Sequence, residues 1–269
     1  MIKEHRILSY ETMEQLTRRW WFYLLLVLVA VITPPFASKG LGPINELGNF
    51  VWDTVQALLI KKIASLPFMP ILHLAVLILI FSIVRNGNRF RRGISIIIGL
   101  HFIAMAYFQT IAVSEKYGLS IISVGLILFL AVAFVWFWEA SVGKTDFTFH
   151  KLPLRNYWVL PLALFAFWDP DILWDFDPLF LITSTSPIAI CMMTTIYLAI
   201  MNLLFPRINF PVFRVMSFVG ILLAAFTLLG AFFMDAREGS YWLFLHIPML
   251  IISLYSFRRG LRFIESDPA

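Results

Sequence analysis

The sequence predicts an all-α integral membrane protein with eight transmembrane helices. Three observations carry that prediction. Of the 269 residues, 60% are hydrophobic and only 14% charged; the mean hydropathy is +0.84; and the apolar residues gather into eight runs with short polar connections. Such a composition supplies eight helices of about 20 residues each, and its connections are too short to bury a soluble core of their own. It excludes a disordered, a collagen-like and an ordinary soluble chain. The net charge of +5 orients helices in this setting and does not point to nucleic acid.

In chain order the apolar runs cover residues 20–37, 67–84, 93–112, 119–138, 157–168, 179–205, 215–234 and 241–257. Within hydrocarbon each run has to satisfy its own backbone hydrogen bonds, and without barrel-like alternation only a helix does so. The fifth run is short, ending before Asp169, and spans only by recruiting neighbours. Charge decides in its favour. With a cytoplasmic N-terminus, sixteen of the twenty-one basic residues fall on the inner side, and only Lys39, Lys61, Lys62, Lys116 and Arg237 fall outside. Deleting the fifth span flips the last three segments and destroys this positive-inside bias, so both termini are expected in the cytoplasm.

The first run competes with a signal-peptide reading, with Phe36-Ala37-Ser38 as the trimming point. The long preceding segment with Glu4, Glu11 and Glu14, and the bulky Trp20-Trp21, favour a retained span. The chain has no Asn-x-Ser/Thr sequon, which suits the cytoplasmic membrane of a bacterium or archaeon. Between the first two spans, Ile44, Leu47, Val51, Val55 and Leu58 recur at steps of three and four. They predict an amphipathic helix over about 44–60 that caps the outer end of the bundle or lies in the interface.

The whole chain reads as one polytopic domain, and its two parts, 1–144 and 145–269, show traces of a four-helix duplication. Arg19-Trp20-Trp21-Phe22 leads to Pro34 as Arg155-Asn156-Tyr157-Trp158 leads to Pro170; Pro70-Ile71 matches Pro187-Ile188, and Phe90-Arg91 matches Phe213-Arg214. An even number of helices per unit makes the repeat parallel, with its functional seam between the halves. Aromatic, basic and proline residues also collect at helix ends in any membrane protein, which is the plainer explanation.

Polar residues are expensive in this setting, so the few present carry the functional reading. Asp169, Asp171, Asp175 and Asp177 lie within nine residues and with Trp168 and Trp174 predict an acidic, aromatic rim. Such a rim concentrates cations at a pore mouth or holds a hard divalent cation, although the spacing is not that of a calcium loop. A solvated outer loop is the bland alternative. Thr183, Ser184, Thr185 and Ser186 follow, and Ser186 before Pro187 signals a helix start. That leaves 178–186 as an interrupted or re-entrant piece, a candidate solute or ion path; ordinary interfacial capping explains it equally well.

His73 and His246 each lie about six residues into a span from the outer side, about 9 Å deep, and are a candidate shared pair for haem iron, a transition metal or a proton relay. His101 is nearer mid-membrane and joins a relay but not that pair. Glu139, which closes the fourth span beside Trp136 and Trp138, is a further candidate ligand or proton-relay residue, and interhelical hydrogen bonding explains it, Gln109, Thr110 and Asn202 equally well. Arg85, Arg89, Arg91 and Arg92 form an inner basic cluster suited to anionic headgroups. Cys191, the single cysteine, reads as a small core residue.

The chain has no P-loop, HExxH, CxxC or GxSxG motif, and no lysine after Lys151 for a retinal Schiff base. No cofactor is assigned. The leading expectation is a permease-like or channel-like element for a small solute or ion, with the lipid bilayer as its surroundings. A non-catalytic subunit of a larger membrane complex or a homo-oligomer, and an intramembrane redox or lipid-modifying enzyme, are the alternatives.

Overall fold

The computed structural model describes residues 9–43, 47–60, 67–169, 177–231 and 236–263. The chain is mostly helical. It opens with α1 (Tyr10–Leu16) and α2 (Trp20–Ile32), followed by β1 (Phe36–Ala37) and α3 (Leu47–Gln56). Then come α4 (Met69–Asn86), α5 (Arg91–Thr110), β2 (Ile111–Ser114), β3 (Gly118–Ile121) and α6 (Ser123–Val142). After a 3-10 turn (Leu154–Trp158) follow α7 (Val159–Trp168), the four-residue α8 (Phe180–Thr183), a 3-10 turn (Ser186–Ile188), α9 (Ile190–Leu204), α10 (Phe210–Ala231) and α11 (Ala236–Arg262).

Among the described residues four helices are long and apolar enough to cross a membrane: α4, α5, α6 and α10. The number rises to six when α1 with α2, bent by 73°, and the piece Phe180–Ile188 with α9, bent by 92°, are each taken as one broken span. α7 is shorter, and α11 is 27 residues long with Pro248 inside it.

Local chemistry sets the boundaries. Pro70 occupies the first turn of α4, where its missing N–H costs nothing. Gly143 ends α6 with φ +64°, its amide bonding Glu139 O at 2.6 Å, the left-handed stop that glycine tolerates best. Thr33-Pro34-Pro35 stops α2 earlier than the apolar run implies.

Two expectations need correction. The connections are not all helix and loop: β1, β3 and β2 form a three-stranded antiparallel sheet in that order, pairing Phe36 with Ile121 and Ser114 with Gly118. Residues 111–112 and 119–121, assigned above to spans, belong to it. The sixth run is not one helix, because α9 starts only at Ile190. The predicted amphipathic helix is present as α3, although its first residues, 44–46, lie outside the described residues.

The polar connections gather at two ends of the bundle. At one end lies the sheet, where Lys116 pairs with Asp53 of α3 at 2.9 Å and Lys39 donates to Glu115 O at 2.8 Å. At the other, Glu14 meets Arg214, Asp146 meets Arg207 at 3.0 Å, and Lys144 lies over the Tyr10 ring. α10 and α11 are antiparallel neighbours: Gly220 faces Ser253 while Gly260 faces Phe213 and Arg214. The core runs through α6, α9 and α10, with Trp136, Leu198, Phe213 and Met216 fully enclosed. Outward faces are as apolar as the core. On α4, Ile71, Leu74, Ile78 and Phe81 are exposed, as expected where lipid is the solvent.

Candidate functional site

The sixth run breaks for identifiable reasons. Ser184 (φ −66°, ψ 171°) and Ala189 (φ −90°, ψ 118°) are both extended, and Pro187 has no N–H to continue a helix. The first amide of α9, at Ile190, has no partner inside its own helix. It donates instead to Gln109 Oε1 of α5 at 3.0 Å. Ser186 therefore does not cap a helix as the sequence suggests. It is fully buried, and its hydroxyl donates to Phe167 O at 2.8 Å.

Two histidines from different helices hold this bend. His73 of α4 is fully buried; its Nδ1 lies 3.0 Å from Met69 O and its Nε2 lies 3.2 Å from Ser184 Oγ and 3.3 Å from Ser186 Oγ. A carbonyl only accepts, so Nδ1 carries the proton and Nε2 is the acceptor in the neutral ring. The Ser186 proton is committed to Phe167 O, which leaves Ser184 as the donor to Nε2. The Phe167 ring meets the imidazole edge-on at 5.3 Å. His101 of α5 donates through Nε2 to Pro187 O, and its Nδ1 accepts from the buried Tyr197 hydroxyl at 2.6 Å.

Asp169 completes the cluster. It ends α7 in the left-handed region (φ 46°), is only 7% exposed, and accepts from Thr185 Oγ1 at 3.2 Å. A non-glycine residue in that conformation costs about 1 kcal/mol or more. Asp169, Ser184, Thr185, Ser186, His73 and His101 thus converge on one bend.

The other expected residues fall elsewhere. Asp177 is used locally: its carboxylate accepts from the Leu179 amide at 2.9 Å and its carbonyl from Trp168 Nε1 at 3.0 Å. Thr183 bonds back to Leu179 O. Asp171 and Asp175 lie outside the described residues. Asp169 is buried at a helix end, whereas Asp177 is half-buried and caps the turn that follows it.

The structure shows no contact between His73 and His246 among the described residues. Both His73 nitrogens are already engaged, and its companion at the bend is His101, the residue set apart from the pair above. His246 is buried on α11. Among the described residues no group of three or more His, Cys, Asp or Glu side chains gathers as a metal site. Glu139 belongs to the opposite end of the bundle, where Oε1 accepts from the Thr145 amide at 2.7 Å and Oε2 from Asn209 Nδ2.

No family model, curated protein or solved structure matches this chain. The reading of the site therefore rests on its own geometry. Sequence reasoning did not single out Tyr197 or Phe167. Tyr197 is an aromatic residue with a hydroxyl inside an otherwise apolar run, a signal hard to tell from an interhelical hydrogen bond.

The arrangement fixes the tautomer of the His73 ring. In the neutral state His73 Nε2 faces two hydroxyl oxygens, only one of which has a proton to give. A protonated ring turns Nε2 into a donor toward both oxygens, and Ser186 need not move. The Ser184 proton then loses the acceptor it has in the neutral state, so the neutral ring is the form in which every donor of this cluster is paired.

Proposed function

We propose that the chain is an eight-span membrane protein with both termini in the cytoplasm, acting as a permease-like or channel-like element for a small solute or ion. The bend at residues 183–189 is its transit point. The observation that carries this reading is the convergence of His73, His101 and Asp169 on a 92° break between helices. Broken backbone at membrane depth is tolerated where protein encloses it or a path runs past it, and intramembrane ionisable residues mark such paths. The topology is supported by the gathering of Glu14, Asp146, Arg207 and Arg214 at one end and of Asp53 and Lys116 at the other. A parallel pair of four-helix halves suits the intimate packing of α5 on α6 and of α10 on α11, the third and fourth helices of each half.

Reconstitution of the full chain in liposomes loaded with a pH-sensitive dye tests the reading. Under an imposed potential, proton or alkali-cation flux is expected above that of protein-free liposomes and is expected to fall at least about tenfold, the effect of ~1.4 kcal/mol, in His73→Gln and Asp169→Asn. Absence of flux in the wild type, or undiminished flux in both folded variants, overturns it. A C-terminal reporter active only in the cytoplasm checks the topology.

One contact favours a second reading, an intramembrane lipid-modifying enzyme. Ser184 Oγ is a hydroxyl whose proton is already directed at His73 Nε2, while Met69 O fixes the far side of the ring, the arrangement a serine nucleophile needs. A fluorophosphonate probe that labels wild type but not Ser184→Ala selects this reading; no labelling removes it.

A further inference from the structure

A basic, aromatic cleft of about 460 Å³ lies at the C-terminal end of α11, away from the bend, lined by Phe205, Tyr255, Arg258, Arg259, Arg262 and Phe263. Three arginines on one turn of helix follow from the sequence Arg258-Arg259-x-x-Arg262, since positions three and four apart share a face. Among the described residues no carboxylate pairs with any of them. An end-of-helix arginine that serves only to orient a span needs no fixed position. Arg259 has one.

Its Nη1 donates to Asn202 O and to Asn202 Oδ1, both at 3.2 Å, and its guanidinium lies 3.8 Å from the centre of the Phe205 ring. Asn202 is itself fixed, because its Nδ2 donates to Leu198 O at 2.8 Å and to Ser256 Oγ at 2.6 Å. Behind Phe205 stand Phe210, Phe213 and Phe263. The guanidinium is therefore oriented before any ligand arrives, and its Nε and Nη2 make no hydrogen bond among the described residues. Those two N–H edges match two oxygens of a phosphate group, and the exposed Arg258 and Arg262 supply further charge at the rim.

The geometry points to a phosphate-binding site in this cleft, with Arg259 as the oriented fork and Arg258 and Arg262 as flanking charges. The ligand is a phosphate monoester, supplied either by an anionic lipid headgroup or by a free phosphate compound. Both sources reach a cleft at a helix end, where basic pockets between spanning helices commonly hold lipid headgroups. The assignment is independent of the transport reading, because none of these residues touches the bend.

The test uses the purified full chain in neutral detergent, titrated with short-chain phosphatidate, short-chain phosphatidylcholine and inorganic phosphate at constant ionic strength, with thermophoresis as the readout. Phosphatidate is expected to bind more tightly than phosphatidylcholine. Competition by inorganic phosphate at comparable concentration assigns a free phosphate compound, and failure to compete assigns the headgroup; either supports the site. Arg258→Gln with Arg262→Gln changes exposed positions and leaves the Arg259 anchor intact, so the folded variant is expected to bind about fivefold more weakly per arginine removed. Lys39→Gln with Lys151→Gln removes equal charge at exposed positions elsewhere and is expected to leave binding unchanged. The assignment is overturned if neither phosphatidate nor inorganic phosphate binds better than phosphatidylcholine, if the cleft pair binds like wild type, or if the control pair loses as much.

Discussion

Arg214 Nη1 and Nη2 each donate to one oxygen of the Glu14 carboxylate at 2.8 Å, across 200 residues of chain. The guanidinium is fully buried and also donates to Gly260 O at 2.9 Å and to Thr17 Oγ1 at 3.2 Å. One side chain thus ties α1 to α10 and α11. Removing one partner of a buried ion pair leaves an uncompensated charge and costs ~3–5 kcal/mol, while replacing both with apolar groups is often close to neutral. Glu14→Gln is expected to lower the melting temperature sharply, and Glu14→Leu with Arg214→Met to recover most of the loss. A Glu14→Gln protein that melts with wild type removes the latch.

Glu139 is 1% exposed and meets two donors, the Thr145 amide and the Asn209 side chain. Asn209 in turn donates its amide to Thr145 Oγ1 at 3.1 Å and accepts from the Val212 amide at the start of α10. Replacing the carboxylate by an amide sets a donor against a donor, a loss of ~1–3 kcal/mol. Glu139→Gln is expected to melt earlier and to transport normally once folded. Transport loss at unchanged stability instead makes Glu139 a relay residue and contradicts the structural role.

The long apolar helices were legible because lipid demands long apolar runs. Ser186-Pro187 marked the broken segment, although the helix begins later because Gln109, from another element, caps it. The sheet was not legible: strands of two to four residues buried within apolar runs show no alternation, and the one local sign was Gly118, which turns with φ +67°. Nor was the histidine arrangement, since His73 and Ser184 are 111 residues apart and helix adjacency leaves no periodic trace. Arg214 read as one more topological charge because an N-terminal segment with acidic residues gives no sign of which helix it docks on.

Two glycines mark close approaches that differ in how far they can yield. A Cβ at Gly87 would lie 2.4 Å from Ile83 O and from Phe147 Cβ, and 2.9 Å from Phe147 O, none of which rotates away. At Gly220 the nearest atom is Ser253 Oγ at 2.4 Å, a hydroxyl that can turn, with Thr194 Cγ2 next at 3.3 Å. Overpacking costs ~1–3 kcal/mol. Gly87→Ala is expected near the upper end and Gly220→Ala near the lower, by thermal melting in one detergent. The reverse order contradicts this account of the two contacts.

Asp146 sits in the connection after α6, outside the spanning segments. Partial burial pushes its carboxyl up, but hydrogen bonds from Thr148 and the charge of Arg207 at 3.0 Å outweigh this and hold it below the usual carboxylate range. A carboxyl depressed in the folded state stabilises above its unfolded pKa of ~3.9, and that contribution is lost as pH falls through the folded value. Asp146→Asn lacks the titrating group but leaves His150, which accepts from Arg207 at 2.6 Å, in both proteins. Wild type is therefore expected to melt above Asp146→Asn at neutral pH, with the gap closing only in strong acid. A gap that is constant down to a pH of about 2, or one that widens in acid, contradicts the assignment of Asp146 as an ionised partner of Arg207.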